Sequence, residues 1–365
     1  MSDIAELPTP ALLLDRTKLE RNLGAMVTRA ESLGVELRPH IKTHKCIEIG
    51  QMQRSLGATG ITVATLHEAR AFADHGFDDI TWAFPLVPSR VDEAMELASR
   101  VTLRIVVDSA ETLARLAETR FPFNVLIKID CGYHRAGVDP HGELAVTLAR
   151  DLHESHTMTF AGILTHSGHS YYARGRAEIG RIAEEERRVM VEFSQRLQSV
   201  SGIGVPHISV GSTPAMSFVE HLEGITEIRP GNYALYDYSQ TFMGSCTVAD
   251  CAATVLASVV SSQPGMTHCV IDAGALALSK DTGPADRPVA SMGEIFDDYA
   301  AGTLLPETRV VSLSQEHGIV SRQLPVGSKV RILPNHSCLT VAQFDQFHVV
   351  EGDRVVDTWR IWRER

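Results

Sequence analysis

Short β-branched and aliphatic runs ending in polar or glycine turns alternate, over the first two-thirds of the chain, with amphipathic stretches of roughly 10–20 residues. This pattern predicts core strands at Val35–Ile41, Ile61–Thr65, Ile80–Phe84, Leu103–Val107, Val125–Asp130, Thr159–His166, Ile208–Val210 and Glu227–Arg229. Helices are predicted at Lys18–Leu33, Ile47–Leu56, Glu68–His75, Ser89–Ser99, Ala110–Glu118, Gly142–His153, Arg176–Val200 and Ala215–Glu220. In the longest of them Ile182, Val189 and Phe193 recur at helical spacing and the opposite face is mostly charged. Strand–helix alternation of this kind predicts an α/β chain built on a parallel (β/α)8 TIM-type barrel. After about residue 242 the pattern turns β-rich, with strands expected at Val255–Ser261, His268–Asp272, Arg309–Ser314, Lys329–Leu333, Gln346–Val350 and Asp353–Trp359. The expected division is a barrel over 10–242 and a C-terminal β domain over 243–365. The early run Ala11–Leu14, within residues 1–15, is a candidate for the second domain's sheet.

Length agrees with this division. A β/α barrel takes about 250 residues, leaving about 115 of the 365 for a second domain. Hydrophobic residues at 44% and charged residues at 22% make a globular composition, with no low-complexity tract. A net charge of −11 argues against sequence-independent nucleic-acid binding. No run approaches the ~20 apolar residues of a membrane span, so no membrane partner is expected. The opening residues Met1–Glu6 carry acid where a signal peptide needs base, and the 6 scattered cysteines read as reduced thiols. Both point to the cytoplasm.

A barrel builds its active site at the C-terminal ends of its strands. Here those ends are rich in charge and glycine: Arg38–Lys45, Asp130–Gly137, Thr165–Tyr172, Val210–Pro214 and Arg229–Tyr233. There is no dinucleotide fingerprint or P-loop to support a Rossmann or NTPase reading. Gly211-Ser212-Thr213 and Pro230-Gly231-Asn232 close the seventh and eighth strands, where barrels commonly cradle a phosphate. Either alone could be an ordinary tight turn; on adjacent strands they favour a phosphorylated ligand. Lys42 ends the first strand, where a pyridoxal phosphate Schiff base could form. An isolated lysine there would otherwise read as a solvated charge.

The stretches Arg38–Lys45, Gly132–Gly137, Gly162–His166, Gly211–Pro214 and Arg229–Tyr233 resemble the fold type III pyridoxal phosphate enzymes. Within that group the chain is similar to the D-serine dehydratase / D-threonine aldolase branch, relatives of alanine racemase. The resemblance implies an alanine racemase-like barrel followed by a β-rich domain, with pyridoxal 5'-phosphate as cofactor. It makes Lys42 the Schiff-base lysine and the base at Cα, and His166 the histidine stacked on the cofactor ring. Arg135 would stand beside the phenolate oxygen, and Ser212, Thr213, Gly231 and Asn232 would hold the phosphate. The pyridine nitrogen would meet Arg229, or a tyrosine at Tyr171 or Tyr172. The family is generally dimeric, with the partner's β domain closing the site, so a homodimer is expected.

A second feature is Pro334-Asn335-His336-Ser337-Cys338-Leu339-Thr340. On a strand, His336 and Cys338 would share one face, and imidazole with thiolate suits Zn2+ better than a hard cation. With 16 His and 6 Cys, roughly a quarter of one such pair is expected by chance, so the pair alone decides nothing. The resemblance makes it a divalent metal site, Zn2+ in first place with Mn2+ or Mg2+ as alternatives. It implies a lyase that removes the β-hydroxyl of a D-amino acid such as D-serine, D-threonine or D-threo-3-hydroxyaspartate, giving a 2-oxo acid and ammonia. Retro-aldol cleavage is the nearest alternative, followed by racemisation and by a non-catalytic cofactor-binding protein. Gln315-Glu316-His317 could face the site or the surface, and Cys246 and Cys251 read as packed thiols.

Overall fold

A computed structural model of the chain describes residues 3–283 and 289–364. The chain divides into two compact units. One is formed by Met26–Lys42 and Gly50–Gly231, the other by Met1–Ala25, Thr43–Ile49 and Asn232–Arg363. Of the predicted β domain, residues 1–2, 284–288 and 365 lie outside the described residues.

Strand β1 (Ala11–Asp15) belongs to the second unit, and the next eight strands form the first. These are β2 (Glu36–Leu37), β3 (Ile61–Val63), β4 (Asp79–Pro85), β5 (Thr102–Val107), β6 (Asn124–Lys128), β7 (Thr159–Leu164), β8 (Ile208–Val210) and β9 (Glu227–Ile228). They pair in parallel in the order β2-β9-β8-β7-β6-β5-β4-β3. A bridge from His40 to Thr62 closes the ring between β2 and β3, with amide bonds from Thr59 to the Leu37 carbonyl and from Thr62 to that of Pro39. All eight predicted core strands are therefore present. Their nearly continuous burial, as in β6 and β7, reflects helices on one side and a filled barrel on the other. Local signals set the helix ends. Thr65 and Glu68 form a capping box, Ser109 caps Ala110–Thr119, and Gly202 ends Arg176–Ser201 at φ 72°.

The barrel interior carries a connected run of buried polar groups. Arg38, only 2% exposed, bonds Glu227 through Nε at 2.5 Å and Asp79 through Nη1 at 2.6 Å. The other Glu227 oxygen accepts from Ser209 Oγ, which in turn accepts from Arg229. This pairing is what allows such charges inside.

The second unit adds β10 (Ala253–Ser261), β11 (Cys269–Ile271), β12 (Glu294–Asp298), β13 (Thr303–Leu313), β14 (Gly318–Val320), β15 (Lys329–Leu333), β16 (Gln346–Glu351) and β17 (Arg354–Arg360). The order is β11-β14-β13-β12-β15-β10-β1-β16-β17, and β11 also pairs with β10. The run Ala11–Leu14 does join this sheet. It pairs antiparallel with β10 and parallel with β16, and Leu12, Leu13 and Leu14 are fully buried. Strands β12 and β14 were not predicted: β12 ends in exposed aspartates and β14 has three residues, too few for a period to show. Among the described residues no helix is long and apolar enough to cross a membrane.

Candidate functional site

Within the barrel unit, Lys42 lies in a short 3-10 turn, Ile41–Thr43, that follows β2, and its side chain is half-buried. His166 stands two residues beyond β7 and is also half-buried. The Tyr133 ring meets His166 edge-on, centroids 6.2 Å apart, and stacks on His169 at 5.9 Å. The exposed Arg135 lays its guanidinium 5.0 Å from the centre of the Tyr133 ring. Gly168 lets that ring approach, since a Cβ there would fall 2.3 Å from Tyr133 Cε1.

Burial, joined by the positive charges of Lys42, Arg135, Lys128 and Arg229, holds the His166 imidazole well below its ordinary 6.5 and therefore neutral. Four cationic side chains around one neutral ring form a field that fits an anionic, phosphorylated cofactor. Burial also pushes Lys128 down to about 8, helped by Arg229 and Arg135. The sequence reading missed Lys128, although a lysine ending the apolar run Val125–Ile127 was the available signal.

Arg229 is buried, and burial pushes its guanidinium down to about 10. Nη1 donates to Ser209 Oγ and Nη2 to the Thr165 carbonyl, so both terminal nitrogens are engaged within the barrel. Of the two tyrosines considered for the same edge of the ring, Tyr171 is half-buried and Tyr172 is 76% exposed, well out in solvent.

The loop after β8 has Gly211 at φ 109°, a left-handed conformation suited to glycine. Ser212 caps the short helix Thr213–Phe218 and its Oγ lies 2.9 Å from that of Ser170. Thr213 and Gly231, just beyond the ends of β8 and β9, are both buried.

In the second unit the side chain of Asn232 is committed elsewhere than to a phosphate. Its Nδ2 donates to Asp237 Oδ2 at 2.6 Å and to Ser337 Oγ at 3.0 Å, because the buried Asp237 carboxylate needs donors. The strand expected at His336–Cys338 is corrected: His336 caps a one-turn helix, Ser337–Val341, whose Thr340 amide donates to the His336 carbonyl at 3.1 Å. Five residues are too few for periodicity to separate helix from strand.

The pair nevertheless comes together. His336 Nδ1 lies 2.9 Å from Asp281 Oδ2, and its imidazole hydrogen-bonds Cys338. Cys338 Sγ stands 3.2 Å from Thr43 Oγ1 and 3.9 Å from Asn232 Nδ2. Burial opposes an imidazolium here, yet the bonds to Asp281 and Cys338 and the charges of Cys338 and Asp237 raise His336 to about 11. Asp281 itself is held low, first by its bond to His336. An imidazole oriented by a carboxylate and facing a thiol is a donor set that fits a borderline-soft divalent cation. Among the described residues no three His, Cys, Asp or Glu side chains gather as a cation cage. Asp281 and Asp237 were missed in the sequence because both lie far from the pair along the chain.

Gln315, Glu316 and His317 are exposed. Cys246 and Cys251 pack in an apolar cluster with Phe296 and Leu333, as packed thiols would.

The alanine racemase N-terminal domain matches residues 14–239, and a putative serine dehydratase domain matches residues 252–350. The chain belongs to the D-serine dehydratase branch of the alanine racemase-like, fold type III pyridoxal phosphate family. D-threo-3-hydroxyaspartate dehydratase of Delftia sp. (strain HT23) is a family relative 36% identical, matched over 97% of each chain. D-serine dehydratase of Dictyostelium discoideum is also 36% identical, over 97% of this chain and 96% of its own. D-threonine aldolase of Arthrobacter sp is 30% identical, over 98% and 93%. The solved Delftia dehydratase superposes with a TM-score of 0.94 at 35% identity, covering 99% of both chains. It has also been solved as a cysteine-to-alanine variant in a metal-free form and as a histidine-to-alanine variant, the two substituted positions two residues apart. Pyridoxal phosphate is the cofactor of this family.

Proposed function

We propose that this family member is a lyase that dehydrates D-β-hydroxy amino acids, taking D-serine, D-threonine or D-threo-3-hydroxyaspartate to a 2-oxo acid and ammonia. The observation that carries this reading is the His336–Cys338 pair with Asp281 on the imidazole, since racemisation has no use for a metal site. Its spacing is that of the two residues substituted in the Delftia enzyme.

The working division is a cofactor-binding barrel built from Met26–Lys42 and Gly50–Gly231 and a β domain, with Ala11–Asp15 in its sheet, that carries the metal pair. Lys42 anchors the cofactor and removes the Cα proton. His166, held neutral, would lie against the cofactor ring without adding charge to it. Ser212, Thr213 and Gly231, with the backbone of Asn232, would hold the phosphate, and Arg135 and Arg229 would add positive charge to the site. When bound, pyridoxal phosphate supplies the sink for the electron pair left at Cα. A cation on His336 and Cys338, Zn2+ before Mn2+ or Mg2+, supplies the Lewis acidity that a departing hydroxide needs. Asp281 fixes the imidazole tautomer for it. We place the protein in the cytoplasm as a homodimer, which sedimentation would test.

Retro-aldol cleavage is the second reading, favoured by the identity to D-threonine aldolase. Product analysis on the three substrates separates the possibilities. A 2-oxo acid with ammonia supports the dehydratase; glycine with an aldehyde, an inverted amino acid, or no turnover overturns it.

A further inference from the structure

Helix Arg176–Ser201 buries a stripe of Ile179, Ile182, Ala183, Val189, Met190, Phe193 and Leu197, and one carboxylate stands among them. That residue is Glu186, 1% exposed. Its Oε1 accepts from the amide of Ser167 at 2.9 Å and from the amide of Gly211 at 3.3 Å. Among the described residues its Oε2 is buried without a hydrogen-bond partner. Burial pushes the acid up, against the pull of the bonds from Ser167 and Gly211 and of the Arg229 charge. A buried carboxyl group costs stability, so an apolar residue would serve the helix better.

What Glu186 touches explains the exception. Ser167 directly follows His166, and Gly211 directly precedes Ser212. One oxygen atom therefore ties the loop bearing the ring-stacking histidine to the loop offered for the phosphate. The contact between Ser170 Oγ and Ser212 Oγ is a second tie between the same loops. Gly211 needs this help. Gly211 is buried at φ 109°, and its amide finds its acceptor in Glu186 Oε1.

We propose that Glu186 is a positioning residue that holds the phosphate cradle in register with His166, and so sets affinity for the cofactor's phosphate. This rests on the cofactor-site reading above. Glu186 touches neither substrate nor cofactor; it acts through the amides of Ser167 and Gly211. Only an acceptor at Oε1 is required, so the isosteric amide can replace the acid.

The test compares pyridoxal phosphate with pyridoxal, which lacks the phosphate, as ligands of the cofactor-stripped full chain. Glu186→Leu should weaken pyridoxal phosphate binding by about tenfold or more and pyridoxal binding by less than about threefold. Glu186→Gln should keep both affinities within about threefold of the parent. Glu186→Asp, one methylene short, should show the same selective loss and serves if the leucine variant does not fold. Equal losses for both ligands in the leucine or aspartate variant, or a selective loss in Glu186→Gln, would overturn the proposal. If the parent chain binds neither ligand, the cofactor-site reading fails instead, a result visible before any variant is made.

Discussion

Asp281 Oδ2 lies 2.9 Å from His336 Nδ1, and this contact leaves Nε2 as the ring nitrogen that can face Cys338. A carboxylate behind a metal-binding imidazole fixes both its tautomer and its orientation. Asp281→Ala should therefore lower Zn2+ affinity by about 10–100-fold, read by competition with a chelator. An unchanged competition curve would detach Asp281 from the metal.

Removing the metal tests a different step from removing the cofactor. Chelation or Cys338→Ala should cut 2-oxo acid release by orders of magnitude, because a Lewis acid is worth several kcal/mol and each ~1.4 kcal/mol is tenfold. Exchange of the Cα proton into solvent should persist, since the proposed assignment gives that step to Lys42 and not to the metal. Cys338→Asp trades a soft ligand for a hard one and should shift the preference toward Mn2+ or Mg2+. Full dehydration by protein shown by elemental analysis to be metal-free would reduce the pair to a structural role.

Lys42→Ala should abolish turnover and release the cofactor on dialysis. Borohydride should fix the cofactor to the parent chain and not to the variant. A variant that still retains covalently fixed cofactor would move the anchor to another lysine.

Lys128 makes the cofactor-free barrel sensitive to pH. Burial first, then Arg229 and Arg135, lowers its ammonium from 10.5 to about 8. Between those values the unfolded chain holds a proton that the folded barrel has shed, so stability rises with pH across that window. Below pH 8 the cost of the buried charge is fully present. Lys128→Met should stabilise the stripped protein by about 3 kcal/mol at pH 7 and remove the slope between 8 and 10.5. Urea unfolding at a series of pH values would show a parallel, undiminished slope if the reading is wrong.

The barrel was legible because each core strand is an apolar run too short for a helix, and eight such runs recur with helices between them. Lys42, Gly211 and Gly231 stand out in the sequence because they end core strands, where this fold places its functional residues. Glu186 was not, since Glu184 and Glu185 beside it make a charge run that reads as a solvated face. Asp281 and Asp237 became visible only when folding brought them to His336 and Asn232. The helix at Ser337–Val341 escaped because it is a single turn capped by backbone alone, with no side-chain cap to mark it.

Strand β1 imposes an order on biosynthesis. Leu12 pairs with Val255 and Leu13 with His348, so its neighbours on both sides are made long after it. At about 5–20 residues per second, the roughly 240 residues between Leu12 and Val255 take on the order of 10–50 s to emerge. The barrel strands, complete at Ile228, can close within that interval, whereas Ala11-Leu12-Leu13-Leu14 must wait as an unpaired apolar segment. Such a segment is a target for chaperones that hold nascent chains and, when they are overwhelmed, a nucleus for aggregation.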